Sequence, residues 1–244
     1  MKLRLVLLHG FLEDRSMWEP LIALLSLRGV QVDTPELPGH GDRRALPAEL
    51  SAETYADDVM SQLHLADDEQ FFLIGHSMGG YIASSIAALY PQRIAGMLLF
   101  HSKAGADDAL KKADRQRAIE AVQQNKALYV RTMITNTFHP DNRERLKNRI
   151  DKLVERALLM DTEAIVAAQR VMIDRPDRVH DMQQRAFPLF YYLGADDTSI
   201  PLYVALQEIQ QLPGAMYHIT SEAAHMGQWE SAQDAAQFIQ RIIR

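Results

Sequence analysis

The chain of 244 residues contains no cysteine, which excludes a disulfide framework, a thiol nucleophile and any cysteine-bearing metal site. It also lacks a long apolar run. The opening stretch MKLRLVLLHG offers about six apolar residues before His9 and Gly10 interrupt it. A secretory leader needs a longer apolar core and a small-residue cleavage site, and a membrane span needs about 20 apolar residues. The chain therefore reads as a soluble, cytoplasmic protein without membrane attachment. No GxxxxGK[ST] loop, GxGxxG turn or HExxH pair occurs, so the usual signatures of phosphate, dinucleotide and zinc-protease chemistry are missing. Positive charge is in short supply as well. With 26 basic against 32 acidic residues the formal charge is −6, which argues against general affinity for nucleic acid.

What is present is an alternation of short apolar runs with longer amphipathic ones, the pattern of parallel strands joined by crossover helices. Strands are expected near 2–8, 30–34, 70–75, 95–100, 188–194 and 215–220. Helices are expected near 16–28, 52–65, 78–89, 201–211 and 229–243. The fold class is α/β, a mostly parallel central sheet of about six strands flanked by helices. Between the fourth and fifth strands the pattern turns wholly helical, as in DDALKKADRQRAIEAVQQNKALYVRTMI, NRERLKNRIDKLVERALLM and EAIVAAQRVMI. A block of that length is too long for an ordinary connection. Residues 1–104 and 186–244 therefore read as the core, and 105–185 as an inserted helical cap or lid.

The pentad Gly75-His76-Ser77-Met78-Gly79 carries the chemistry. G-x-S-x-G is a weak signal alone, but here it closes an apolar strand, FFLIG, and opens an apolar helix, MGGYIASSIAALY. That setting is what a nucleophile elbow requires. The turn forces Ser77 into a strained conformation, tolerable where neighbours two residues away have no side chain. His76 is expected to point away from the nucleophile and to pack.

A serine hydroxyl is a poor nucleophile without a base. His225, in the polar loop SEAAHMGQWE, lies between the last strand and the last helix and is the candidate. An acid should stand between the two in chain order, and LGADDTSIP offers Asp196 and Asp197 after the fifth strand; either could instead cap the following helix. In a parallel sheet all these strand ends share one edge. Two backbone N–H groups must also face the developing oxyanion. Met78 and Phe11 are the candidate donors, Gly10 letting the backbone of LLHGFLED approach substrate. His9, Gly10 and Trp229 are the candidate substrate contacts.

Together these segments resemble the α/β-hydrolase fold superfamily, in its serine-nucleophile, capped, esterase-like branch. HGF at 9–11 resembles its oxyanion segment, LPGHGD at 37–42 its D-x-P-G-x-G-x-S segment and GHSMGG at 75–80 its elbow. AAHMGQWE at 223–230 is similar to its G-H-x-x-x-x-E segment. GADDTSIP at 194–201 resembles G-x-x-D-x-x-x-P, whose spacing selects Asp197 over Asp196. Three positions depart from the pattern: Glu36-Leu37 stands before the Pro-Gly, Asp42-Arg43 where serine is common, and Ala224 before the histidine. The chain begins at what corresponds to the family's third strand. A serine in the elbow argues against the haloalkane dehalogenase and epoxide hydrolase branches.

The resemblance implies a hydrolase acting on a carboxylic ester or related acyl bond, with Ser77, Asp197 and His225 as the triad, an acyl-enzyme intermediate, and no metal or organic cofactor. The partner is then a small-molecule acyl substrate. The same triad could hydrolyse a C–C bond or catalyse an elimination, and the scaffold could also serve as a non-catalytic ligand-binding protein. The cap carries the stripe Arg143, Arg145, Lys147, Arg149, Lys152 and Arg156. It reads either as a solvated helix face interleaved with Glu144, Asp151 and Glu155, or as a dock for an anionic partner or carrier protein.

Overall fold

The apolar runs at the centre of the sheet become strands because both of its faces are covered there. The computed structural model describes residues 4–26, 29–66 and 68–243. Six strands, β1 (Arg4–Leu8), β2 (Gln31–Asp33), β3 (Phe71–His76), β4 (Ile94–Phe100), β5 (Leu189–Gly194) and β6 (Met216–Thr220), lie in the order β2-β1-β3-β4-β5-β6. Every pairing is parallel. Successive side chains go to opposite faces, as strand geometry demands. Leu5, Leu7, Phe72, Ile74, Leu98 and Phe100 enter one core; Val6, Leu8, Phe71, Leu73, Met97 and Leu99 enter the other.

Helices α1 (Glu19–Ile22), α2 (Ala52–Gln62), α3 (Met78–Leu89), α4 (Ala109–Thr137), α5 (Lys147–Leu158), α6 (Thr162–Asp174), α7 (Val179–Gln183), α8 (Leu202–Ile209), α9 (Gly227–Glu230) and α10 (Ala232–Ile242) fill the connections. Tyr55 and Val59 of α2, Ile82 and Ile86 of α3 and Ile209 of α8 cover one face. Leu21 of α1 and Phe238 and Ile239 of α10 cover the other. Between β4 and β5 every described element is helical, and α4 packs against both α5 and α6.

Two helices differ from the periodicity reading, and a third carries a break that the reading of one long or two shorter helices allowed. The helix expected over 16–28 is a 3₁₀ turn, Arg15–Trp18, followed by the single α-turn of α1. Beyond it Leu24 and Leu25 donate to carbonyls three residues back, at 3.0 and 3.1 Å, so the chain tightens instead of extending; residues 27 and 28 lie outside the described residues. The helix expected over 229–243 breaks at Ser231 (φ −128°, ψ 45°). Just before the break, the Glu230 carboxylate reaches back to the preceding loop. In α4 the break is at Asn125 (φ −155°, ψ 84°). Its Oδ1 accepts the Leu128 N–H at 3.0 Å, an N-cap inside one helix that starts its second half.

Candidate active site

The site is assembled at the carboxyl edge of the sheet, beginning with Ser77. Its backbone is held at φ 50°, ψ −118°, a region that costs a non-glycine residue of order 1–3 kcal/mol. Neighbours impose this conformation. Ser77 N–H donates to Phe100 O at 3.1 Å, and Ser102 Oγ donates to Ser77 O at 2.7 Å. A Cβ on Gly75 would lie 2.5 Å from Gly79 O and Gly80 Cα, and one on Gly79 would lie 2.5 Å from His9 O. The glycines are thus what lets α3 turn back against β3 and the β1 loop. The Ser77 hydroxyl makes no capping bond to α3, and the residue is partly exposed. No hydrogen bond joins it to His225 among the described residues in this conformation; such contacts are often long before substrate binds.

Asp197 and His225 meet directly, although α8 and β6 separate them in the chain. His225 Nδ1 donates to Asp197 Oδ2 at 2.7 Å, which fixes the tautomer and leaves Nε2 as the basic lone pair. Asp197 Oδ1 accepts the N–H groups of Ser199 at 2.8 Å and Ile200 at 2.9 Å. Burial by itself would raise the Asp197 pKa; the charge of His225 and hydrogen bonds from His101 and His225 outweigh it and hold the carboxyl well below its ordinary range. Asp196, by contrast, is exposed and lies 3.6 Å from His139 Nε2.

His101 was not among the residues singled out from the sequence. It follows β4 at φ 47° and donates Nδ1–H to the same Asp197 Oδ2 at 3.2 Å. Burial pushes its pKa down to about 4, against the opposing pull of Asp197, so it is a neutral donor at ordinary pH. Its signal in the sequence was position: a lone histidine closing the apolar run MLLFH, one strand over from Ser77. His101, Asp197 and His225 bring ligand-type atoms within 4.8 Å of one another. Both rings, however, direct a protonated Nδ1 at one carboxylate oxygen, and a protonated ring nitrogen has no lone pair to offer a metal.

The second missed residue is Glu13. This buried carboxylate accepts Gly10 N–H at 2.6 Å and contacts His76 Nδ1 at 2.9 Å through a single oxygen, Oε2. His76 Nε2 lies 2.8 Å from His225 O. His76 therefore does more than pack: it links the β1 loop to the loop that carries His225. Glu230, in the A-H-x-x-x-x-E segment, anchors that loop from its other end. Its Oε2 accepts Ala224 and Met226 N–H, both at 3.0 Å, and its Oε1 accepts His139 N–H at 2.6 Å and Asn142 Nδ2 at 3.1 Å. His225 N–H donates to Thr137 O at 3.0 Å, so the histidine loop is bonded to the end of α4.

Phe11 is partly buried in the loop after β1, and Met78 is the first residue of α3, where helical N–H groups lack intrahelical partners. Gly10 is buried beside Glu13 and His76. His9 lies inside the loop and not on an open wall: it is fully buried, its Nδ1 meets Gly10 O at 2.8 Å, and its Nε2 accepts Leu37 N–H at 3.1 Å. Trp229 donates Nε1–H to Met17 O at 2.8 Å and, with Arg149 and Lys152, lines a groove of about 300 Å³. Arg156 lines this groove too, and it and the remaining cations of the stripe engage the protein itself. Arg143 bonds Phe138 O, Arg145 bonds Glu230 O, Lys147 pairs with Asp151 and Arg156 with Asp14.

A six-stranded parallel sheet with a strained serine elbow and a buried Asp–His pair at its carboxyl edge defines the class, and residues 4–232 match the family model described as alpha/beta hydrolase fold. The chain belongs to that family. It is similar to a 2-hydroxy-6-oxononadienedioate/2-hydroxy-6-oxononatrienedioate hydrolase of Paraburkholderia phymatum, 24% identical over 94% of this chain and 83% of that one. A thermophilic esterase from Thermogutta terrifontis superposes with a TM-score of 0.89 at 27% identity, covering 99% of this chain and 89% of the other. The enol-lactonase of Burkholderia xenovorans gives the same TM-score, 0.89, at 20% identity over 100% and 92% of the two chains. No described helix is long and apolar enough to cross a membrane.

Proposed function

We propose that the protein is a serine hydrolase that cleaves a carboxylic ester or a related acyl bond through an acyl-enzyme. The observation that carries this reading is the buried 2.7 Å contact from His225 Nδ1 to Asp197 Oδ2 at the sheet edge where Ser77 is strained and partly exposed. His225 Nε2 takes the hydroxyl proton as Ser77 Oγ attacks the acyl carbon. Asp197 stabilises the resulting imidazolium, and the Phe11 and Met78 amides receive the negative charge on the carbonyl oxygen. The imidazolium then returns its proton to the departing alcohol. Water, deprotonated by the same nitrogen, releases the acid and restores the serine. The helices of 105–185 act as a cap over this edge, and they select the small-molecule substrate.

A second reading, hydrolysis of a C–C bond beside a carbonyl, draws support from the name of the Paraburkholderia relative. The test is a panel of p-nitrophenyl acyl esters of rising chain length and a vinylogous 1,5-diketone, each run with wild type and Ser77→Ala. Ester turnover should fall by at least about 10³-fold in Ser77→Ala, and a fluorophosphonate should label wild type alone. Undiminished turnover by Ser77→Ala would refute the serine mechanism, and turnover of the diketone alone would select the second reading.

A further inference from the structure

Among the polar groups that touch no reacting atom, Glu13 and His76 are tied to most of the site. One oxygen of Glu13 holds the Gly10 N–H and faces His76 Nδ1, at 2.6 and 2.9 Å. The other ring nitrogen of His76 lies 2.8 Å from the backbone carbonyl of His225. A carbonyl oxygen only accepts, so Nε2 must carry a proton. Across the other contact a second proton must lie between Nδ1 and the carboxyl oxygen. Neutral imidazole facing carboxylate with one proton in total would leave two lone pairs opposed, either at Glu13 or at His225. The pair therefore contains an extra proton that an ordinary buried histidine would not keep.

We propose that Glu13 and His76 form a proton-holding positioning pair, which fixes the oxyanion-loop backbone against the histidine loop and whose deprotonation sets the alkaline limit of turnover. This inference rests on the reading of Ser77 and His225 as the catalytic groups. The ionised form is the favoured one. Burial acts against charge on both groups, yet the mutual attraction and hydrogen bonding of the pair raise His76 and lower Glu13. Around His76, the loop after β1 presents Glu13, with His9 close behind it. Trp18 and Phe100 present ring edges or faces. The end of β4 presents His101, and the loop after β6 presents His225. Asp197, after β5, adds a second negative charge that favours the imidazolium. When the extra proton leaves at high pH, one of the two contacts becomes repulsive, and either Gly10 or His225 is released from its place.

Glu13→Gln tests this with almost no change of shape. Because one oxygen serves both Gly10 N–H and His76, an amide oxygen there still needs a protonated Nδ1, and an amide nitrogen there would face Gly10 N–H. With the negative charge gone, His76 surrenders its proton sooner. The alkaline limb of kcat for a p-nitrophenyl ester should move down by about one to three pH units, with KM little changed. A profile that merely scales, with its alkaline limb unmoved, would overturn the proposal. Nitrogen-15 NMR of the wild-type imidazoles gives an answer free of activity and of any folding defect in the variant. His76 should show two protonated ring nitrogens at pH 7, and a His76 neutral at pH 7 would overturn the pairing. Ser77→Ala retaining full turnover would instead remove the catalytic reading, an outcome the NMR signal does not share.

Discussion

Replacing His101 by asparagine isolates one contribution to acid stability. Asparagine tolerates the positive φ of 47° at this position, and its side-chain N–H occupies nearly the place of Nδ1, so the bond to Asp197 is kept while the titrating group is lost. In the folded protein the His101 pKa is pushed down to about 4 by burial, from an unfolded value near 6.5. Between those values the unfolded chain binds a proton that the folded one refuses, so stability falls as pH falls. The contribution is intact above about pH 6.5 and is lost progressively toward pH 4. The full difference is worth about 3 kcal/mol, and about 2 kcal/mol of it is gone at pH 5. Urea unfolding at pH 7.5, 6.5, 5.5 and 5.0 measures this directly. Wild type should lose about 2 kcal/mol more than His101→Asn over that interval, since the other buried groups titrate alike in both. Parallel stability curves would refute the assignment of His101 as a buried neutral donor.

Other substitutions separate chemistry from architecture. Asp197→Asn should lower kcat for esters by about 10⁴-fold by favouring the wrong tautomer of His225, with binding of a non-hydrolysable substrate analogue by calorimetry nearly unchanged. Gly75→Ala should destabilise by about 3 kcal/mol or more in a thermal or denaturant melt, because its Cβ would press on backbone atoms of Gly79 and Gly80 at 2.5 Å; a stable, active variant would contradict the packed elbow. Glu230→Gln should cost about 2 kcal/mol and reduce kcat more than it raises KM, since an amide can satisfy only half of the four N–H groups that its carboxylate now accepts.

Much of this architecture was legible in the linear chain because it rests on local periodicity. All six runs that read as strands pair in one sheet, and the pentad at 75–79 is a strand-to-helix turn with glycines where backbone crowds. Helix boundaries were less legible. The 16–28 helix shrinks to a 3₁₀ turn and one α-turn, and the last helix breaks at Ser231, because backbone tightening and a side chain turned back on its own loop leave no trace in hydrophobic spacing.

Residue types and chain order by themselves determined the fold family, the strand that carries Ser77 and the segments that could supply an acid and a base, since each follows from a short pattern read within one element. Only the tertiary structure decided that one oxygen of Asp197 serves two histidines and that Glu13 reaches His225 through His76. Those contacts join residues 63, 96 and 149 positions apart. A single polar side chain in an apolar neighbourhood has no period and no partner until the sheet edge brings the ends of its strands together, and burial then makes each such group depend on the one it meets.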